Sequence, residues 1–130
     1  MAGDTEKLYI LMVDDDPDML SLLAQMVELA GHEPGHASSG AEAIALARQR
    51  PPDVVVLDIM MANTDGWTVY NQLRDFTNAP VLFLTAWRTN ENEARARELG
   101  ERFASKPIAL KELRKLLDEA IEEARAARSA

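Results

Sequence analysis

The chain contains no cysteine. Disulfides, thiolate catalysis and cysteine-ligated metal are therefore excluded. No run approaches the ~20 consecutive apolar residues that span a bilayer, and no secretory apolar region follows the start. The expectation is a soluble cytoplasmic protein that does not contact membrane. There is no internal repeat and no long tract of low complexity, so a disordered chain is not expected. A Gly-rich phosphate loop of the Walker type is missing, which argues against a nucleoside-triphosphate site. Basic residues are scarce in the first half: residues 1–65 carry 3 bases against 12 acids, whereas residues 66–130 carry 11 against 10. The net charge of −8 disfavours nucleic-acid backbone as a partner of this chain, and no helix-turn-helix or basic stripe offsets it.

What is present is enough for one core. The 130 residues are 47% hydrophobic, a usual size and composition for a single domain. Leu8–Val13 and Val54–Leu57 are short continuous apolar runs, as expected of strands buried on both faces. Val81–Thr85 and Phe103–Ser105 read as further strands. His32–Ser38 reads as a weak second strand made irregular by Pro34-Gly35. Helices are expected over Pro17–Ala30, closed by Gly31, over Ala41–Arg50, stopped by Pro51-Pro52, and over Trp67–Phe76, behind an Asp65-Gly66 turn. Asn90–Leu99 and Leu110–Ala127 complete the set. Five strands alternating with five helices predict an α/β fold, a doubly wound parallel sheet with helices on both faces. The core is expected over about 8–124, with residues 125–130 a tail or linker stub.

In such sheets ligands bind beyond the carboxyl ends of the strands. Strand one ends at Asp14 and Asp15, strand three at Asp58 and strand four at Thr85; Lys106 follows strand five. Crowded carboxylates raise one another's pKa unless a cation neutralises them. Magnesium takes one or two carboxylates and shares phosphate oxygens. With such a cation, Asp58 can serve as a nucleophile that forms an aspartyl phosphate, while the cation, Lys106 and the Thr85 hydroxyl stabilise charge on the phosphoryl group. Asp16 has a separate task, as helix N-cap before Pro17 at the first helical position. Asp18 then lies in the first turn, where the helix dipole favours negative charge.

Four segments, in order, resemble one family. They are "VDDDP" (Val13–Pro17), "LDIMMANTDGW" (Leu57–Trp67), "PVLFLTA" (Pro80–Ala86) and "KPI" (Lys106–Ile108). Together they resemble the response-regulator receiver domain, the CheY-like family of two-component signalling, over about Leu8 to Ala124. The resemblance implies strand order 2-1-3-4-5 and a flavodoxin-like arrangement. It makes Asp58 the phosphoacceptor and Asp14, Asp15, Asp58 and the Met60 backbone carbonyl the Mg²⁺ ligands. Thr85 and Lys106 would hold phosphoryl oxygens, and Thr85 and Phe103 would form the switch. The Lys106–Pro107 bond would be cis. A sensor histidine kinase or histidine phosphotransfer protein would donate the phosphoryl group. The chain would catalyse its own phosphorylation and slow dephosphorylation. The surface of the fourth helix, fifth strand and fifth helix would then switch its binding to a downstream protein or output domain.

The chain departs from the family pattern in places. Ala62 stands where proline is frequent, and "GERF" (Gly100–Phe103) is a residue shorter than the usual segment. Phe103 lacks a hydroxyl, so a switch there works by packing. Met60 and Trp87, each two residues beyond a site residue, would shield the phosphoryl group from water. Leu22 and Leu29 beside the polar stripe of the first helix suit either tight sheet packing or docking of a kinase helix pair. His32 and His36 lack metal-like neighbours and read as structural or surface residues. Two rivals to the switch remain: a pseudo-receiver that binds protein without phosphorylation, and a small-substrate phosphohydrolase. The latter usually needs a second acid and a substrate cap, and neither is visible.

Overall fold

A computed structural model describes residues 6–62 and 64–129. Five strands form one parallel sheet: β1 (Tyr9–Val13), β2 (Glu33–Ala37), β3 (Val54–Leu57), β4 (Val81–Thr85) and β5 (Arg102–Ser105). Their spatial order is β2-β1-β3-β4-β5, with all four pairings parallel. The helices are α1 (Pro17–Leu29), α2 (Gly40–Gln49), α3 (Gly66–Leu73), α4 (Asn90–Glu98) and α5 (Leu110–Ser129). The expected fold and strand order are therefore observed.

Side chains alternate across the pleat, so each central strand feeds two cores. Ile10, Met12, Val54, Val56, Leu82 and Leu84 meet Leu23 and Val27 of α1 and Leu113 and Leu117 of α5 on one face. Leu11, Val13, Val55, Leu57, Val81 and Phe83 meet Ala43 of α2, Val69 and Leu73 of α3 and Ala96 of α4 on the other. This explains why the central strands read as unbroken apolar runs rather than as alternating ones.

Three local features differ from the sequence expectation. The second strand is regular: it runs in unbroken register with β1 from Tyr9↔Glu33 to Val13↔Ala37. Glu33 N–H faces β1 and donates to Leu8 O at 2.9 Å, so the next residue, Pro34, lacks only a donor that would point away from the sheet. Because β2 is an edge strand, the proline is tolerated. Helix α3 ends at Leu73 rather than Phe76, with Arg74 as its C-cap. A two-residue antiparallel ribbon, Met60–Met61 against Thr64–Asp65, follows β3; it is too short to leave a period in the sequence.

Helix α5 continues to Ser129, two residues past its expected end at Ala127, through the segment read as a tail or linker stub. Arg128 pairs with Asp53 at 3.0 Å and with Glu6, and the Arg125 guanidinium faces His32 Nε2 at 3.4 Å. His32 is buried, and its Nδ1 accepts the Leu8 N–H at 3.0 Å. Burial, then the charge of Arg125, depress its pKa against the opposing influence of Asp53 and Asp118. A histidine with a depressed folded-state pKa contributes stability that is complete above its unfolded value of about 6.5 and is lost as pH falls through the folded value. The melting temperature is therefore expected to fall between pH 7 and pH 5. His32→Asn keeps an acceptor for Leu8 N–H and is expected to flatten that slope; an equal slope in both proteins, followed by circular dichroism, would contradict this reading.

Candidate functional site

Strands β1 and β3 end side by side, with Val13 opposite Leu57. The backbone ladder continues one residue further, as Asp58 N–H donates to Val13 O at 2.9 Å and Asp14 N–H to Ala37 O at 3.1 Å. Two carboxylates thus leave the sheet at one edge on rigid backbone. Asp14 is 2% exposed and Asp58 5%, whereas Asp15 is exposed. One oxygen from each of the three lies within 4.8 Å of the others.

Lys106 enters from beyond β5, where its N–H donates to Thr85 O at 2.8 Å; the following peptide to Pro107 is cis. Its ammonium reaches Asp14 Oδ2 at 2.6 Å and Asp58 Oδ2 at 3.1 Å. The remaining oxygen of each buried acid is also engaged, Asp14 Oδ1 by Asp16 N–H at 2.9 Å and Asp58 Oδ1 by Met60 N–H at 3.0 Å. Burial pushes the Asp14 carboxyl above its ordinary pKa, opposed by the Lys106 hydrogen bond and reinforced by the Asp58 charge. For Lys106 burial acts downward, yet the hydrogen bond to Asp14 and the charges of Asp58 and Asp14 prevail and hold its pKa above the usual lysine value. Asp15 Oδ2 accepts Ala62 N–H at 2.9 Å and so ties the ribbon after Asp58 to the end of β1. Asp16 caps α1 as expected, accepting Asp18 N–H at 3.0 Å ahead of Pro17.

Thr85 is fully buried, and its Oγ accepts Trp87 N–H at 3.1 Å. Phe103 lies opposite Phe83 in the β4–β5 register and packs, half-buried, on the second core. Met60 and Trp87 are exposed and line one groove with Ile59, Thr64 and Trp67. The structure therefore gathers Asp14, Asp15, Asp58 and Lys106 into one cluster, with Thr85 at the end of the neighbouring strand β4.

Sequence reasoning missed one backbone requirement at this edge. A Cβ on Gly66 would stand 2.4 Å from Ile59 Cα and 2.7 Å from Asp58 O, and Gly66 N–H donates to Ile59 O at 2.8 Å. The Asp65-Gly66 pair announced a turn; the close approach to the Asp58 loop was not readable from it. Gly66→Ala forces rigid backbone apart and is expected to destabilise the fold by about 1–3 kcal/mol, the usual range for overpacking. Urea unfolding checks this, and a loss under ~0.5 kcal/mol would contradict the crowding argument.

Comparison with known proteins agrees with this fold. The sequence model of the response regulator receiver domain matches residues 10–118. The probable transcriptional regulator ycf27 of Guillardia theta is 36% identical over 108 residues, covering 82% of this chain and 42% of the relative. The transcriptional regulatory protein KdpE of Mycobacterium tuberculosis is 33% identical over 104 residues, covering 79% and 46%. Among solved structures, the BeF3-activated receiver domain of Klebsiella pneumoniae RstA superposes with a TM-score of 0.76 at 26% identity, over 86% of this chain and 97% of that one. A CheY-like receiver domain from Methanospirillum hungatei gives 0.85 at 21% identity, over 94% and 99%, a likeness of fold alone. The chain belongs to the response regulator receiver domain family of two-component systems. It spans less than half the length of these curated relatives.

Proposed function

We propose that this domain is a phosphorylation switch whose acceptor is Asp58. The observation that carries the reading is the meeting of two buried carboxylates, Asp14 and Asp58, with one ammonium, Lys106, at the carboxyl edge of the sheet. The donor set of Asp14, Asp15 and Asp58 is all hard oxygen and net anionic, which fits Mg²⁺; the Met60 carbonyl would be a further ligand. When bound, Mg²⁺ supplies neutralising charge for incoming phosphoryl oxygens.

The chain's own residues do the rest. Asp58 is fixed by Met60 N–H on one oxygen and attacks phosphorus with the other. The nitrogen–phosphorus bond of a phosphohistidine breaks as the oxygen–phosphorus bond forms, and the released imidazole takes up a proton. Lys106, already within reach of Asp58 Oδ2, moves from carboxylate to phosphoryl oxygen. Thr85 offers its hydroxyl hydrogen to a second phosphoryl oxygen, and Phe103 repacks against β4 in response. The donor is a sensor histidine kinase or a phosphotransfer protein. Its helices would meet the apolar groove between α1 and α5 lined by Leu22, Met26, Leu29 and Leu110. The α4–β5–α5 surface then carries the changed state to a downstream protein or an output domain. Receiver, donor and output would all work in the cytoplasm.

Incubation with a phosphohistidine protein and Mg²⁺ is expected to transfer one phosphoryl group per chain, with no multiple turnover of p-nitrophenyl phosphate. Many turnovers would favour a phosphohydrolase, and no transfer would favour a phosphorylation-independent binding module. Trp87 and Met60, exposed and each two residues beyond a site residue, would shield the phosphoryl group from water. Trp87→Ala is expected to shorten the phosphoryl half-life several-fold, read by the decay of the phosphorylated mass; an unchanged or longer half-life would remove the shielding role.

A further inference from the structure

Asn92 is a buried polar side chain that the acceptor chemistry does not use. It lies in the first turn of α4, 8% exposed, where its own N–H is held by the capping hydroxyl of Thr89 at 3.0 Å. Its side chain spans two other elements. Asn92 Oδ1 accepts the Trp67 indole N–H at 3.1 Å, and Asn92 Nδ2 donates to Trp87 O at 3.2 Å. The orientation of the amide is fixed by chemistry, because an indole can only donate and a carbonyl can only accept.

Both ends of this bridge reach the site. Trp67 follows Gly66, which is pressed against the Asp58 and Ile59 backbone; its ring packs on Phe83 with centroids 4.7 Å apart and carries the Arg95 guanidinium 4.5 Å above it. It is therefore a fixed point. Trp87 is gripped twice: its carbonyl by Asn92, and its N–H by Thr85 Oγ. Asn92 and Thr85 thus hold the two peptide groups that flank the Trp87 Cα, one each. Accepting the Trp87 N–H leaves the Thr85 hydroxyl hydrogen to donate, but a turn of the side chain toward Asp58 would break the bond to Trp87 N–H.

The geometry points to Asn92 as a positioning residue that, through Trp67, holds the β4–α4 loop and Thr85 in the resting arrangement. This rests on the reading of Asp58 as phosphoacceptor. Turning Thr85 toward a phosphoryl group on Asp58 then opposes the Trp67–Asn92–Trp87 bridge, and the bridge sets part of the cost of activation. Losing one buried hydrogen bond that favours the resting loop shifts the equilibrium by about fivefold.

The test is a calorimetric titration with beryllofluoride, a phosphoryl mimic, in Mg²⁺. Wild type is expected to bind and Asp58→Asn is not, which checks the acceptor reading by itself. Asn92→Leu and the more conservative Trp67→Phe are each expected to bind about fivefold tighter than wild type, and the double variant no tighter than the better single, because both changes break one bridge. A merely structural role would lower the melting temperature and leave affinity equal or weaker. Exchange of the Trp67 indole proton in wild type, followed by NMR, is expected to be slow and to quicken on saturation with beryllofluoride. Equal or weaker binding by both single variants, or an exchange rate that beryllofluoride leaves unchanged, would overturn the proposal. Failure of wild type to bind would remove the acceptor reading, and the switch role of Asn92 with it.

Discussion

Asp58→Asn is expected to accept no phosphoryl group from acetyl phosphate in Mg²⁺, and to melt no lower than wild type. The amide cannot form the acyl phosphate, so the loss is complete rather than graded. The fold should survive because the change leaves the Asp14–Lys106 pair at 2.6 Å in place and removes one of two buried like charges. The Asp58 charge is among the influences that raise the Asp14 carboxyl, so its removal relieves Asp14. Intact mass after labelling and a thermal melt in EDTA check both halves. Residual labelling at the wild-type level would move the acceptor elsewhere. A collapsed melt would mean that the site cluster stabilises the fold, contrary to the electrostatics described here.

Lys106→Met is expected to act in the opposite sense on stability. It leaves Asp14 and Asp58 facing each other without their shared ammonium, and both are buried. Stranding charges in this way costs about 3–5 kcal/mol in a closed interior. At an edge beside an exposed Asp15, about 2 kcal/mol is a better expectation, since solvent screens part of the repulsion. Mg²⁺ should restore more stability to this variant than to wild type, because the ammonium no longer competes for the carboxylates. Labelling should slow on the order of 100-fold, the usual consequence of removing a donor aimed at developing phosphoryl charge. A variant as stable as wild type in EDTA, or one that labels at the wild-type rate, would show that Lys106 is a bystander.

Much of this edge was legible in the sequence because its residues sit at strand ends, and strand ends are marked by abrupt changes of polarity. Val13 to Asp14 and Leu57 to Asp58 are such changes, and both acids lie where expected, beside Lys106. The sheet was equally readable, since strands buried on both faces leave unbroken apolar runs. What was hidden depends on contacts between distant residues. Pro34-Gly35 suggested an irregular strand, but an edge position, set by the whole sheet, accommodates it. Asn92 lies in a polar, weakly patterned helix, and nothing local announces that its amide meets an indole 25 residues away. Gly66 looked like a turn glycine, while its tight approach to Ile59 follows from the ribbon that pairs Met60 with Asp65. The segment past Ala124 read as a tail, and only the fold brings Arg125 and Arg128 to His32 and Asp53.

The acidic edge is expected to accept a phosphoryl group at Asp58 with the help of Mg²⁺. The most direct test is the intact mass of the chain after acetyl phosphate and Mg²⁺, run beside an EDTA control and Asp58→Asn. A single phosphoryl adduct is expected in the wild type with Mg²⁺ and none in either control. An adduct that persists in EDTA or in Asp58→Asn, or its absence from the wild type, would contradict it.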